Sequence, residues 1–228
     1  MLAAVLIVVL GLLVAADRIA VRTAEGRIAD KLAGKRPFLG RPSVSIDGFP
    51  FLTQALDGTY DDIEVSGEGV PVGKLSQVHV DAHLRGVHLS LSDATGGVSQ
   101  VPVDHADVSM SVSLSALAAA SGIDGLTLTA SGDQITAQGP VTLPGLGTVT
   151  VSATGRLVID GAGDITADLT SLHGVGVVLP SSAHAAALSA LDLTVAVDDL
   201  PFRSAATSVR VRPGSVVVSA TARDLVLQ

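Results

Sequence analysis

From Val44 to the C-terminus the chain alternates apolar and polar residues with a period of two. The runs are Val44 and Ile46, Ile63 and Val65, Val78 through Leu84, Val108 through Leu114, Leu191 through Val197, Val209 and Val211, and Val216 through Ala220. Successive side chains of a strand point to opposite faces, so this pattern dictates sheets with one apolar and one polar face. The phase changes once: Val78, Val80, Ala82 and Leu84 are even, whereas Val87, Leu89 and Leu91 are odd. A β-bulge or sharp bend is therefore expected at Arg85-Gly86. Aromatic residues make up 2% of the chain and tryptophan is absent, so Val, Ala, Leu and Ile must fill the interior. That supply suits a sheet.

The chain also matches itself at an offset of 67. Ser115-Ala116 and Ala118 to Ala120 fall on Ser182-Ala183 and Ala185 to Ala187; Leu126-Thr127 falls on Leu193-Thr194; Gly147 falls on Gly214. Val149, Val151 to Thr154 and Arg156 fall without a gap on Val216, Val218 to Thr221 and Arg223. One ungapped register of this length points to a duplicated unit. A weaker third copy shares the Val-x-Val-x-Ala-x-x-Arg spacing at Val78, Val80, Ala82 and Arg85. The units expected are 44–87, 108–158 and 175–225, each strand, short helix, strand, strand, with helices at 51–56, 113–120 and 181–190. A sheet unit with one apolar face cannot bury that face alone, so the copies must join edge to edge or curl around something.

The first 43 residues follow another logic. Leu2 to Ala16 carry no charge, and as a helix would span about 23 Å, against roughly 30 Å for a bilayer core. Val14-Ala15-Ala16 offers small residues for a signal peptidase. Residues 1–16 read as a signal peptide or membrane anchor, and export to the periplasm or to the outer face of the cytoplasmic membrane is expected. From Asp17 the pattern turns amphipathic, with Val21, Ala24, Ile28 and Leu32 at helical spacing until Gly34 and Pro37 stop it. Residues 17–43 thus read as a basic amphipathic helix and loop, holding seven of the fourteen basic residues: Arg18, Arg22, Arg27, Lys31, Lys35, Arg36 and Arg41. A basic segment directly after an apolar one favours contact with an anionic membrane surface. Beyond it, seven basic residues face nineteen acidic ones, and a body that acidic repels phosphate backbones, so no nucleic-acid partner is expected.

Catalytic and metal chemistry lack their parts. Gly73-Lys74-Leu75-Ser76 has neither the earlier glycine nor the adjacent hydroxyl of a phosphate-binding loop, and no Gly-x-Ser-x-Gly elbow occurs. With no cysteine there is no disulfide and no thiolate site. His79, Asp81 and His83 share one face of a strand and read as its solvated side rather than as metal ligands, since three such residues strain to meet one ion. No catalytic residue, metal or cofactor is assigned. The recurring arginines, Arg85, Arg156 and Arg223, could grip lipid phosphates bidentately, but such an arginine more often pairs with a neighbouring acid at a strand end.

The segment Val44-Ser-Ile-Asp-Gly48-Phe-Pro-Phe-Leu-Thr-Gln54-Ala-Leu-Asp-Gly58-Thr-Tyr60-Asp-Asp-Ile63-Glu-Val65 resembles the signature of the actinobacterial LmeA-like family, and the resemblance continues more weakly along most of the chain. It implies an exported, non-enzymatic protein with a fold like the tubular lipid-binding proteins, binding phospholipids including phosphoinositides. It also implies a link to the maturation of mannosylated inositol lipids in the cell envelope. Gly48 to Gln54 also read as a folding motif, in which Gly48 permits a turn, Pro50 fixes it, and Phe49, Phe51 and Leu52 plug a sheet end.

The fold expected is α+β and strand-dominated: a curved antiparallel sheet wrapping helices and an apolar groove, with residues 44–228 as a single domain. A phospholipid or glycolipid is the expected ligand. Its acyl chains would lie against Val44, Ile46, Ile63, Val65, Val80, Leu84, Val108 and Met110, with Phe49, Phe51 and Leu52 at one end and Arg41 or Arg85 at the head group. The function expected is a lipid carrier or chaperone in glycolipid maturation; a membrane-tethered scaffold and a glycolipid-modifying enzyme are the alternatives.

Overall fold

The apolar run and the amphipathic segment after it form a single helix, α1 (Leu2–Ala33), where the sequence suggests two separate segments. At 1.5 Å per residue it is about 48 Å long. Leu2 to Ala16 are exposed on every side, whereas Asp17, Val21 and Ala29 are buried, so the two parts differ in surroundings and not in backbone. The computed structural model describes residues 1–33, 40–72, 75–90, 100–143, 147–160, 165–191, 194–195 and 205–227. Gly34, Pro37, Leu91 and residues 196–197, used above to bound elements, lie outside these.

After α1 come β1 (Ser43–Asp47), α2 (Phe51–Asp57), β2 (Thr59–Val72), β3 (Leu75–His88), β4 (Val101–Ser113) and α3 (Leu114–Ala120). Then follow β5 (Thr127–Ser131), β6 (Gln134–Leu143), β7 (Gly147–Ile159), β8 (Ile165–Gly174), α4 (Ser181–Ala190), β9 (Thr194–Val195), β10 (Ala205–Arg212) and β11 (Ser215–Leu227). The protein is α+β and strand-dominated, but its strands form two sheets in place of one. The first has six strands in the order β1-β2-β3-β4-β11-β10, the second five in the order β5-β6-β7-β8-β9. The break between β4 and β5 has a local cause. Ser113 caps α3, its Oγ accepting a hydrogen bond from the Ala116 N–H at 3.1 Å, and the helix carries the chain away from the strand's edge.

Two compact units result. One comprises Met1–Val70, Val80–Val108 and Thr221–Gln228; the other Pro71–His79 and Ser109–Ala220. Residues 44–228 are thus distributed over both, and α1 belongs to the first. In the first unit α1 covers the apolar sheet face: Val21 and Ala29, with Ala20, Ala24, Ile28 and Leu32, pack on Val44, Ile46, Ile63, Leu84, Val87, Val103 and Ala106. In the second, Ala183 and Ala187 of α4, with Leu179 and Leu191, cover Val141, Leu143, Val151 and Ala153.

The change of phase in β3 is present as expected. Leu84 and Val87 are both buried, and Gly86 between them adopts φ +62°, a left-handed conformation that turns the strand over. Shifting by 67 carries α3 into α4, the start of β5 onto β9, and β7 onto β11 within a residue. The two segments nevertheless differ: residues 108–113 are strand and 175–180 are not, and the pairing that follows also differs. β5 pairs with β6, but β9 pairs with β8.

Among the positions at which the matching strands differ, β7 has Gly155 where β11 has Ala222. The β7–β8 register shifts between Thr154 and Gly155, and a Cβ on Gly155 would collide with the backbone of Asp168 and Leu169. Gly155→Ala should therefore cost about 3 kcal/mol through overpacking. Gly214→Ala, at φ +81° with nothing within 4 Å of the added carbon, should cost about 1 kcal/mol. Denaturant midpoints of the two variants, compared at equal slope, check the ranking.

Candidate functional site

The residues proposed to line a groove lie on one face of four adjacent strands. Val44 stands opposite Val65, and Ile46 opposite Ile63, in the β1–β2 register. Val80 and Leu84 on β3 and Val108 and Met110 on β4 extend the same apolar phase. All are buried except Val65, which is half-buried. Val44, Ile46, Ile63 and Leu84, with Val65 at their edge, belong to the cluster that α1 covers, so a helix of the chain itself occupies this face. Met110 falls in the second unit.

Gly48 to Gln54 divides into an inward and an outward half. Phe51 is buried in the same cluster, its ring 6.1 Å from that of Tyr60. Gln54 is buried and ties two strand ends together: its Nε2 donates to Asp47 O at 3.2 Å, and its Oε1 accepts from the Asp61 N–H at 2.9 Å. Gly48, at φ +103°, passes so close to Gln54 that a side chain there would collide with it. These three residues fulfil the folding role.

Phe49 and Leu52 are exposed instead and line no interior. The reason is the seat of α2. Its N-cap, Pro50, offers no side-chain acceptor, and Asp17 of α1 supplies one, its Oδ1 accepting from the Leu52 N–H at 2.8 Å. That contact fixes the first turn of α2 against α1 and leaves Phe49 outside, with the Arg18 guanidinium 5.1 Å above its ring.

The polar face of β2–β4 carries a network that strand spacing alone does not reveal. Asp62, His83, Arg85, His105 and Asp107 come together. His83 Nδ1 lies 3.6 Å from Asp62 Oδ2, Arg85 donates to Asp107 Oδ2 at 3.0 Å, and His105 Nε2 lies 3.1 Å from Asp107 Oδ1. His88 Nε2 is 2.9 Å from Asp104 Oδ1. Among the described residues no three potential ligands are placed to hold a metal ion. Arg85 and Arg41, the head-group candidates, both have acidic partners: Arg85 meets Asp62 and Asp107, and Arg41 meets Asp30 at 2.9 Å. Strand register would have found the network, since acids and bases alternate on neighbouring strands, but pairing is not written in a single strand's sequence.

In the second unit Arg156 and Arg210, with Asp133, Leu157, Val209 and Val211, line an open cavity of about 400 Å³. Cationic groups beside aliphatic ones are chemically suited to an amphiphile with an anionic head.

The profile of the LmeA-like phospholipid-binding family matches residues 15–221. No curated protein and no solved structure matches. Tyr60 offers a direct readout of the covered face, because it is the chain's single tyrosine and there is no tryptophan. Burial pushes its phenol above the ordinary value of 10 by disfavouring the charged form. The stability that comes from burying the neutral phenol is complete below that ordinary value and is lost as pH rises through the raised one. Ultraviolet titration should show a midpoint above 10 in the folded protein that falls to the ordinary value in denaturant; equal midpoints would mean the face is open to water.

Proposed function

The chain belongs to the LmeA-like phospholipid-binding family, and on that premise we propose that it carries a phospholipid whose acyl chains lie along the apolar face of β1–β4. The observation that carries this reading is the apolar face within the first unit: Val44, Ile46, Ile63, Val65, Val80, Leu84 and Val108 stand on strands β1 to β4, all buried but the half-buried Val65. Two acyl chains of about sixteen carbons represent about 25 kcal/mol of burial, which a shallow surface cannot supply and an enclosed strand face can. The helix that covers the face meets it through Ala20, Ala24 and Ala29 together with Val21, Ile28 and Leu32. An acyl chain sharing the face with α1 would take the room beside the alanines.

The role that fits is a carrier or chaperone in envelope glycolipid maturation, with a phosphoinositide or mannosylated inositol lipid as ligand. The helix Leu2–Ala33 contains an 18-residue stretch with mean hydropathy 2.4, compatible with a signal peptide or an anchor. Export to the outer face of the cytoplasmic membrane follows on the anchor reading. A head-group phosphate at Arg85 or Arg41 would have to compete with Asp62 and Asp107, or with Asp30, for the guanidinium.

Purified protein extracted with organic solvent should release about one phospholipid per chain, the stoichiometry of a carrier that encloses its ligand. A phospholipid bearing a photoreactive group on its acyl chain should label peptides from β2 and β3, and His79→Ala and His83→Ala should leave the labelling unchanged. Absence of extractable lipid, together with labelling confined to α1, would sink the carrier reading.

A further inference from the structure

The apolar surface of α1 does not end where the helix meets the folded body. Leu2 to Val14 are exposed on all sides, and a helix apolar all round is stable only when something apolar surrounds it. At the point of entry four more large side chains are exposed: Ile19 at 67%, Phe49 at 56%, Leu52 at 40% and Leu56 at 78%. Two contacts fix the positions of Leu52 and Phe49. Asp17 Oδ1 holds the Leu52 N–H at 2.8 Å, and the Arg18 guanidinium lies 5.1 Å over the Phe49 ring. Leu52 and Leu56 are four residues apart on α2 and share its exposed side, while Phe51, Gln54 and Ala55 are buried on the other. The same end of the unit thus joins an all-apolar helix to an apolar tip, with Arg18, Thr53 and Asp57 exposed beside it.

We propose that Phe49, Leu52 and Leu56 form a membrane-seating surface that enters the interface of the bilayer holding α1. The proposal rests on the anchoring part of the function above. The occupant is a bilayer surface, because the patch continues the apolar surface of α1 and because exposed basic residues follow that apolar stretch directly. Arg18 and Arg22, one turn apart, are exposed there, placed to meet anionic head groups beside a Phe and Leu tip. The motif at Gly48 to Gln54 then has two duties divided by residue. Gly48, Phe51 and Gln54 hold the fold, and Phe49 and Leu52 contact lipid.

The absence of tryptophan makes a site-specific test direct. The full chain carrying Leu56→Trp, reconstituted into phosphatidylcholine and phosphatidylglycerol vesicles, should emit at shorter wavelength than in detergent-free buffer. It should lose about half its intensity when the lipid chains are brominated, as expected for a side chain buried at the head-group boundary. Lys31→Trp, about 21 Å further along α1 from Asp17, should be unaffected. If the chain enters the vesicles but Leu56→Trp is not quenched, the seating surface is overturned while the anchor stands. A blue-shifted but unquenched Trp would mean that protein covers the patch, and would overturn it equally. Quenching that persists in the detergent-solubilised chain at one brominated lipid per chain would assign the patch to the carried lipid instead. A chain that does not enter vesicles at all would remove the anchor and the seating surface together.

Discussion

An antiparallel sheet with one apolar face is unstable in water until that face is covered, and residues 17–33 of α1 do the covering in the first unit. Everything at the candidate site follows from this. The strand alternation that begins at Val44 supplies the apolar face, and the amphipathic spacing of Val21, Ala24, Ile28 and Leu32 supplies the stripe that lies on it. Because α1 arrives from an apolar stretch that is exposed on all sides, the cover and the candidate anchor are one piece of backbone. Polar contacts then fix the cover's position. Asp17 caps α2, Glu25 Oε1 accepts from the Ile46 N–H at 3.0 Å on the first strand, and Arg41 donates to Gly26 O. The first two satisfy a backbone group at a helix end or at the edge of the sheet, where a bare group would carry a desolvation penalty.

Much of the local structure was legible in the sequence. The helices expected at 51–56, 113–120 and 181–190 occur as Phe51–Asp57, Leu114–Ala120 and Ser181–Ala190, and the phase change at Arg85-Gly86 occurs at Gly86. Helical and strand periods reside in a few consecutive residues, so reading them requires no knowledge of partners. What needs partners was not legible. Gln134–Leu143 and Ile165–Gly174 are full strands whose mixed Thr, Ala and Gly sequences hide their alternation. The division into two sheets depends on which edges β4 and β8 find, and β4 lies beside β11 while β8 lies beside β7. The join of the two N-terminal segments into one helix escaped notice because a change from apolar to amphipathic composition looks like a boundary, although no residue from Leu12 to Glu25 breaks a helix.

The site shows the same division. Val44, Ile46, Ile63, Val65, Val80 and Leu84 were placed on one face by alternation alone, and they share it. Phe49 and Leu52 were assigned inward because aromatic and branched residues supply core in a chain with so few rings. Their outward placement follows from Asp17, thirty-five residues away from Leu52, and no local rule connects the two. The His, Asp and Arg network on the polar face was missed for the same reason. His83, Arg85 and His105 gain their acids from neighbouring strands, and only register brings them together.

Retaining or removing the apolar segment has a consequence at the α1–α2 contact that composition does not suggest. Asp17 lies in the interior of α1, its side chain buried to 2% exposure and held in place by helix on both sides. If a peptidase cut after Ala16, Asp17 would become the first residue of the chain, where helix backbone N–H groups lack partners and the end frays. Its carboxylate would still be near the Leu52 N–H, but ordering it would cost conformational entropy that the intact helix has already met. The retained form therefore holds α2, and with it Phe51 and Tyr60 in the apolar cluster, more firmly than the cleaved form. The apolar segment, where it is retained, thus contributes to keeping the apolar face of the first unit closed to water.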